Sequence, residues 1–247
     1  MIDTSLKNGV GWITLNRPEV HNSLTRQAMS DIRAVLAGWS SSNIRVLVLT
    51  GTGKSFCSGV SLDDVADGDW SNKPVTDLCN AVEEFHAPTI CALNGGVYGG
   101  GVELALSCDF RIGVEGMKMF VPATKIGVHY DPDGIARYVQ KLGPQAARRV
   151  FLLAERFDHN GLKDIGFLDY LVAKDTLPDR VKDLVTNINN TAPLAVQGMK
   201  RTILELSRGT LNIESADARI AKCYASDDHR EGLAALSEKR DPKFTSY

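Results

Sequence analysis

The segment Asn94-Gly95-Gly96-Val97-Tyr98-Gly99-Gly100-Gly101-Val102-Glu103-Leu104-Ala105 constrains this chain more than any other. The apolar run before it, Thr89 to Leu93, reads as a buried strand that breaks into a glycine-rich turn. The apolar run after it, Val102 to Cys108, reads as a helix. The first amide N–H groups of such a helix have no intrahelical partners and face any negative charge in front of them. Glu103 stands three residues after Gly100, on the same side of the first turn. An anion-binding amide and a carboxylate thus face one reacting centre.

The glycines do not follow nucleotide-binding patterns. Gly99, Gly100 and Gly101 are contiguous, whereas a dinucleotide loop spaces its glycines G-x-G-x-x-G. Gly51-Thr52-Gly53-Lys54-Ser55 comes nearest to a phosphate loop, but the glycine that should stand four residues before Gly53 is absent. The arrangement suits a thioester enolate better than a phosphate.

With 247 residues, 43% of them hydrophobic, the chain can bury a full core. A net charge of -2 gives no electrostatic footprint for nucleic acid or an anionic membrane. No apolar run approaches the roughly 20 residues that span a bilayer. The start, Met1-Ile2-Asp3-Thr4-Ser5, lacks the basic and apolar segments of a secretory signal, and the end, Thr245-Ser246-Tyr247, matches no peroxisomal address. Cys57, Cys79, Cys91, Cys108 and Cys223 are scattered and odd in number, which predicts reduced thiols in a cytoplasmic protein. No Cys or His pair has metal-ligand spacing, so no metal site is expected.

The first half alternates strand-like runs (Val10 to Leu15, Arg45 to Thr50, Thr89 to Leu93, Asp109 to Val114) with helical spacings at Leu24 to Trp39 and Leu78 to Phe85. This order predicts an α/β fold with parallel strands. Asp131-Pro132 reads as an N-cap and first helical residue of a helix ending at Leu142. Beyond it the pattern is helical, apart from a short extended stretch at Leu171-Val172. Helices are expected over Pro178 to Asn190, Leu194 to Ser207, Ser215 to Ser226 and Arg230 to Lys239.

Four blocks in order carry a family resemblance. They are Leu15-Asn16-Arg17-Pro18-Glu19-Val20-His21-Asn22-Ser23-Leu24, Phe56-Cys57-Ser58-Gly59-Val60-Ser61-Leu62, Gly99-Gly100-Gly101-Val102-Glu103-Leu104, and the tail from Arg230-Glu231-Gly232 to Lys243-Phe244. Asp109, opening the next strand, fits the same pattern. The chain resembles the crotonase superfamily, the enoyl-CoA hydratases and isomerases. The resemblance implies a spiral core of ββα units over residues 1–180 and a helical C-terminal trimerisation region over 181–247. It implies an acyl-CoA thioester as substrate, with CoA part of the substrate rather than a separate cofactor. It also implies self-association as a homotrimer or a dimer of trimers. No nucleic-acid or membrane partner is expected.

The resemblance also assigns the site. The backbone N–H groups of Val60 and Gly100 form an oxyanion hole, and Glu103 is the acid/base. Val20, Ser58, Leu62 and Phe244 contact CoA, Phe244 from the tail. Chemistry beside a thioester passes through an enolate, and two preorganised donors stabilise its oxygen by several kcal/mol. The apolar neighbours of Glu103 predict a poorly solvated carboxyl with a raised pKa, opposed by the positive helix end.

One position departs from the hydratase pattern. The second glutamate should follow the proline of a Phe-x-x-Pro-Glu segment, and here the segment reads Phe120-Val121-Pro122-Ala123. A methyl group cannot activate water. The run Ile126-Gly127-Val128-His129-Tyr130-Asp131 offers polar groups instead. Asp131 lies where related isomerases, hydrolases and dehalogenases carry an aspartate, and Tyr130 lies where methylmalonyl-CoA decarboxylase carries a tyrosine. That decarboxylase has a histidine where this chain has Val60. The leading expectation is a hydratase/isomerase-type enzyme. The alternatives are a decarboxylase or hydrolase of a malonyl-type or branched acyl-CoA, and a non-catalytic acyl-CoA-binding trimer.

Overall fold

The protein is described here by a computed structural model covering residues 1–61, 64 and 72–245. Its largest layer is a six-stranded sheet. Strands β1 (Ile2–Lys7), β2 (Val10–Leu15), β3 (Val46–Gly51), β5 (Thr89–Leu93), β7 (Phe110–Val114) and β10 (Tyr170–Val172) lie side by side in that order. Only β1 and β2 pair antiparallel, because the two-residue link Asn8-Gly9, both at positive φ, turns the chain straight back. The other pairs are parallel, with Val10 opposite Val46 and Ile90 opposite Phe110. Strands with neighbours on both edges and layers on both faces carry continuous aliphatic runs, as Val46-Leu47-Val48-Leu49 does.

A second sheet places β4 (Ser55–Cys57), β6 (Gly96–Tyr98), β8 (Lys118–Phe120) and β9 (Arg156–Asp158) side by side. Each of its strands follows a strand of the first sheet, save β9. The segment predicted as one glycine-rich turn therefore contains a strand: β5 ends at Leu93, two residues bend, and β6 pairs parallel with β4 through Ser55–Gly96. Three-residue strands give too few alternations for a period to show, which is why β4, β6, β8 and β9 are absent from the sequence reading.

Helix α1 (Arg26–Gly38) is capped by the Thr25 side chain, which accepts from the Ala28 amide, and buries Met29, Ile32 and Leu36. Helices α2 (Pro74–Glu83) and α3 (Gly100–Leu106) flank the site. Helix α4 (Pro132–Leu152) consists of two stretches, the first of which ends at Leu142, as expected. It breaks at Gly143, whose φ of 81° is non-helical, and resumes at Pro144, a favoured first residue for the new turn. Beyond α5 (His159–Asp164), helices α6 (Leu177–Asn189), α7 (Pro193–Arg208), α8 (Ile213–Ala225) and α9 (Asp227–Glu238) match the predicted C-terminal set. Among the described residues no helix is long and apolar enough to cross a membrane.

Candidate active site

The first predicted loop is built around Asn22, a buried side chain. Its Oδ1 accepts from the Arg17 amide at 2.8 Å, and its Nδ2 donates to the carbonyls of Thr52 and Ser55, each at 2.9 Å. The turn holding Val20 is thereby fixed to the β3–β4 connection. Ser58 Oγ donates to the Val20 carbonyl at 3.3 Å, and the Ser58 amide donates to the His21 carbonyl at 2.9 Å. Two of the predicted CoA contacts thus meet. Leu62 lies outside the described residues. Phe244 stands apart, its ring over Gly232 in a groove lined by Ala192, Leu194 and Leu233 of the C-terminal helices.

The two predicted oxyanion loops touch. Gly59 has φ +92°, a conformation that side chains resist, and a Cβ there would stand 3.0 Å from the Tyr98 carbonyl oxygen and 3.2 Å from the Gly100 nitrogen. A Cβ on Gly100 would reach Val60 Cγ2 at 3.4 Å. The Leu24 amide donates to the Gly59 carbonyl at 2.7 Å and the Ser61 amide to the Leu24 carbonyl at 2.9 Å, which lays Val60 alongside Leu24. Among the described residues, neither the Val60 nor the Gly100 amide has a backbone acceptor outside its own helix or strand.

Glu103 sits one turn into α3, every residue of which is buried. Burial pushes its carboxyl pKa up from 4.5 to about 7, and Arg137 opposes that rise. Besides the expected helix end, the structure sets a guanidinium against this carboxyl, with Arg137 Nη1 donating to Glu103 Oε1 at 2.7 Å. Arg137 is itself 2% exposed. Its Nη2 donates to Asn80 Oδ1 at 2.6 Å and to Glu83 Oε2 at 3.3 Å, and its Nε to the same Glu83 oxygen at 3.4 Å. Sequence reasoning missed Arg137, Asn80 and Glu83. The available signals were an arginine between the apolar Ile135 and Tyr138, and a glutamate beside Val82 on an apolar helix face.

Asp131 is the N-cap of α4, as expected, its Oδ1 accepting from the Asp133 amide at 3.1 Å. Its other oxygen pairs with Lys73 Nζ at 2.7 Å, and Lys73 holds the Asp131 carboxyl below its ordinary range. Tyr130 lays its ring edge-on against Phe151 and Tyr138, at 5.0 and 6.3 Å between centroids. Burial, and then the nearby Glu103 charge, push its phenol pKa up. Ala123 is buried in the short helix Ala123–Lys125. His129 is exposed on the loop before α4 and meets the Tyr130 carbonyl oxygen at 2.7 Å. Cys57 is a packing residue, as expected: it is buried, and burial pushes its thiol up to about 12. No cluster among the described residues has the makings of a metal site.

Known proteins share both the sequence and this architecture. The enoyl-CoA isomerase/hydratase fer4 of Mycosarcoma maydis is 30% identical over 96% of this chain and 93% of its own. The enoyl-CoA hydratase domain-containing protein 2 of Homo sapiens, a mitochondrial protein, is 31% identical over 96% of this chain and 85% of its own. The crystal structure of an enoyl-CoA hydratase from Bacillus anthracis superposes with a TM-score of 0.87 at 26% identity, covering 98% of each chain. The sequence profile of the enoyl-CoA hydratase/isomerase family matches residues 5–247, which takes in both sheets, the Glu103 helix and the C-terminal helices, so the chain belongs to that family and to the crotonase superfamily.

Proposed function

We propose that this protein transforms acyl-CoA thioesters as a hydratase/isomerase-type enzyme, with Glu103 as the acid/base. The observation that carries this reading is the pairing on one short helix of a first-turn amide, Gly100, with a buried carboxyl poised near neutrality, Glu103. In this reading the thioester oxygen accepts from the Val60 and Gly100 amides, and the enolate charge forms against those two dipoles. Glu103 moves the proton at the α- or β-carbon, where a pKa near the working pH serves both directions of transfer. CoA arrives as part of the substrate, held by Val20 on the first loop, by Ser58 after β4 and by Phe244 from the tail. No separate cofactor is needed.

Ala123 favours a second reading. With no carboxylate after Pro122, two-carboxylate water addition lacks a partner, and Asp131, paired with Lys73, or Tyr130 serves the far end of the acyl group. A decarboxylase or hydrolase of a malonyl-type or branched acyl-CoA fits those groups. A binding protein without turnover has no use for the Glu103 carboxyl. Exposed apolar residues on α7, α8 and α9 support assembly into a homotrimer or a dimer of trimers, and five unpaired cysteines support a cytoplasmic setting.

The test is a panel of enoyl-, malonyl- and branched acyl-CoA thioesters assayed with the native protein and Glu103→Gln. Turnover of one class, falling at least about a hundredfold in the variant while binding holds, is the expected result. Turnover unaffected by the substitution removes Glu103 from the reaction.

A further inference from the structure

Glu103 is one end of a buried chain of charges that the proposed chemistry does not use. Arg137 offers its five N–H donors in a rigid fork. Asn80 and Glu83 of α2 take the Nε and Nη2 side, which fixes the guanidinium plane and leaves Nη1 aimed at Glu103. Glu83 is buried as well, and its Oε1 has no hydrogen-bond partner, facing only Lys141 Nζ at 3.8 Å. Its other oxygen accepts from Arg208 Nη2 at 2.7 Å. Arg208 closes α7, and its Nη1 donates to Glu84 at 2.6 Å. The order is therefore Glu103, Arg137, Glu83, Arg208, with charge alternating at each step from the site out to the C-terminal helices.

We propose that Arg137 is the positioning residue for Glu103, and that Glu83, sharing Arg137 and itself held by Arg208, sets the pH at which Glu103 takes and releases its proton. One guanidinium divided between two carboxylates stabilises each less than it would stabilise one alone. In a buried site this division acts with little solvent screening. The remaining groups about Glu103 are Cys79 on α2, Tyr138 on α4, and Tyr130 and Asp131 at the start of α4. On the facing β4 strand, Cys57 packs against Gly101. Lys73 neutralises Asp131, and Cys79 and both tyrosines stay protonated near neutral pH, so Glu83 is the nearby carboxylate that competes directly for Arg137.

The sign follows. Glu83→Gln keeps an acceptor for Arg137 but removes the competing charge, so the Glu103 midpoint falls. Arg208→Gln removes one of the cations that offset Glu83, leaving Arg137 and Lys141 to do so, and the midpoint rises. The inference rests on Glu103 being the acid/base only for its meaning in turnover; the titration itself is measured without substrate. Carboxyl infrared difference spectra over pH, assigned by subtracting Glu103→Gln, report the midpoint in the full-length protein. Shifts of about one pH unit, tenfold in the protonation constant, in opposite directions for the two variants are expected. Arg208→Lys should restore the native midpoint. Should Glu83→Gln fail to fold, the less buried Arg208 decides alone. An unmoved midpoint in Arg208→Gln, or a shift of the same sign in both variants, overturns the proposal. Opposite shifts in a protein that turns over no thioester would instead overturn the proposed function and leave this network standing.

Discussion

Gly134 closes against Glu103: a Cβ on that glycine would stand 3.0 Å from Glu103 Oε2 and 3.1 Å from its Cδ. The first turn of α4 is thus a wall of the site, and the glycine is required by space rather than by backbone conformation. Gly134→Ala should push the carboxyl aside without touching the Gly59 and Gly100 loops. Turnover should fall about ten- to a hundredfold, the cost of misplacing a reacting group, with KM changed far less. Steady-state kinetics on the substrate found in the panel check this, and a native turnover number contradicts it.

Ala123 should limit hydration. The native protein is expected to hydrate crotonyl-CoA poorly, and Ala123→Glu to raise that rate by restoring a second proton-transfer group. The position is only 3% exposed, so a carboxyl without room or partners would instead lower stability, which a thermal melt would reveal. Asp131→Asn should abolish the native reaction where Asp131 has taken the missing role. Fast native hydration that survives Asp131→Asn refutes this account.

The raised pKa of Glu103 has a stability consequence. Between about 4.5 and 7 the folded chain holds a proton on this group that the unfolded chain has released. Stability contributed by the protonated group is therefore present below the unfolded pKa and lost as pH rises toward 7. Glu103→Gln cannot titrate, so it should flatten that part of the profile, by up to about 3 kcal/mol. Urea unfolding at several pH values, native against variant, measures the difference. Parallel profiles would show that burial does not perturb this carboxyl.

Assembly can be tested on α7. Met199, Ile203 and Leu206 are 59 to 66% exposed and recur at helical spacing, forming one apolar stripe. A homotrimer or dimer of trimers is expected by light scattering at micromolar concentration, and Ile203→Glu should shift the mass downward if that stripe is covered by a second copy. A monomeric native protein contradicts the expectation.

The sequence made some of this legible. Runs such as Val46 to Leu49 and the caps Thr25 and Asp131 announce themselves because each signal is contained in a few consecutive residues. Strand β1 was missed for the opposite reason: five of its six residues are exposed, so no apolar face marks it. Glu103, Gly59 and Gly100 were visible as a motif. Their controlling partner was not, because Arg137 lies 34 residues from Glu103 and 54 from Glu83. Only the packing of α2 and α4 on either side of α3 turns three separate charges into one chain.

The seven buried residues of α3 leave that helix without a face toward water. It is packed on every side, so the post that carries Glu103 is held by its whole surroundings. Change of reaction in a chain of this design has to come from the walls opposite the post. Tyr130, Asp131 and Gly134 stand together where α4 begins, so a side chain there can change what Glu103 faces without changing the helix that carries it.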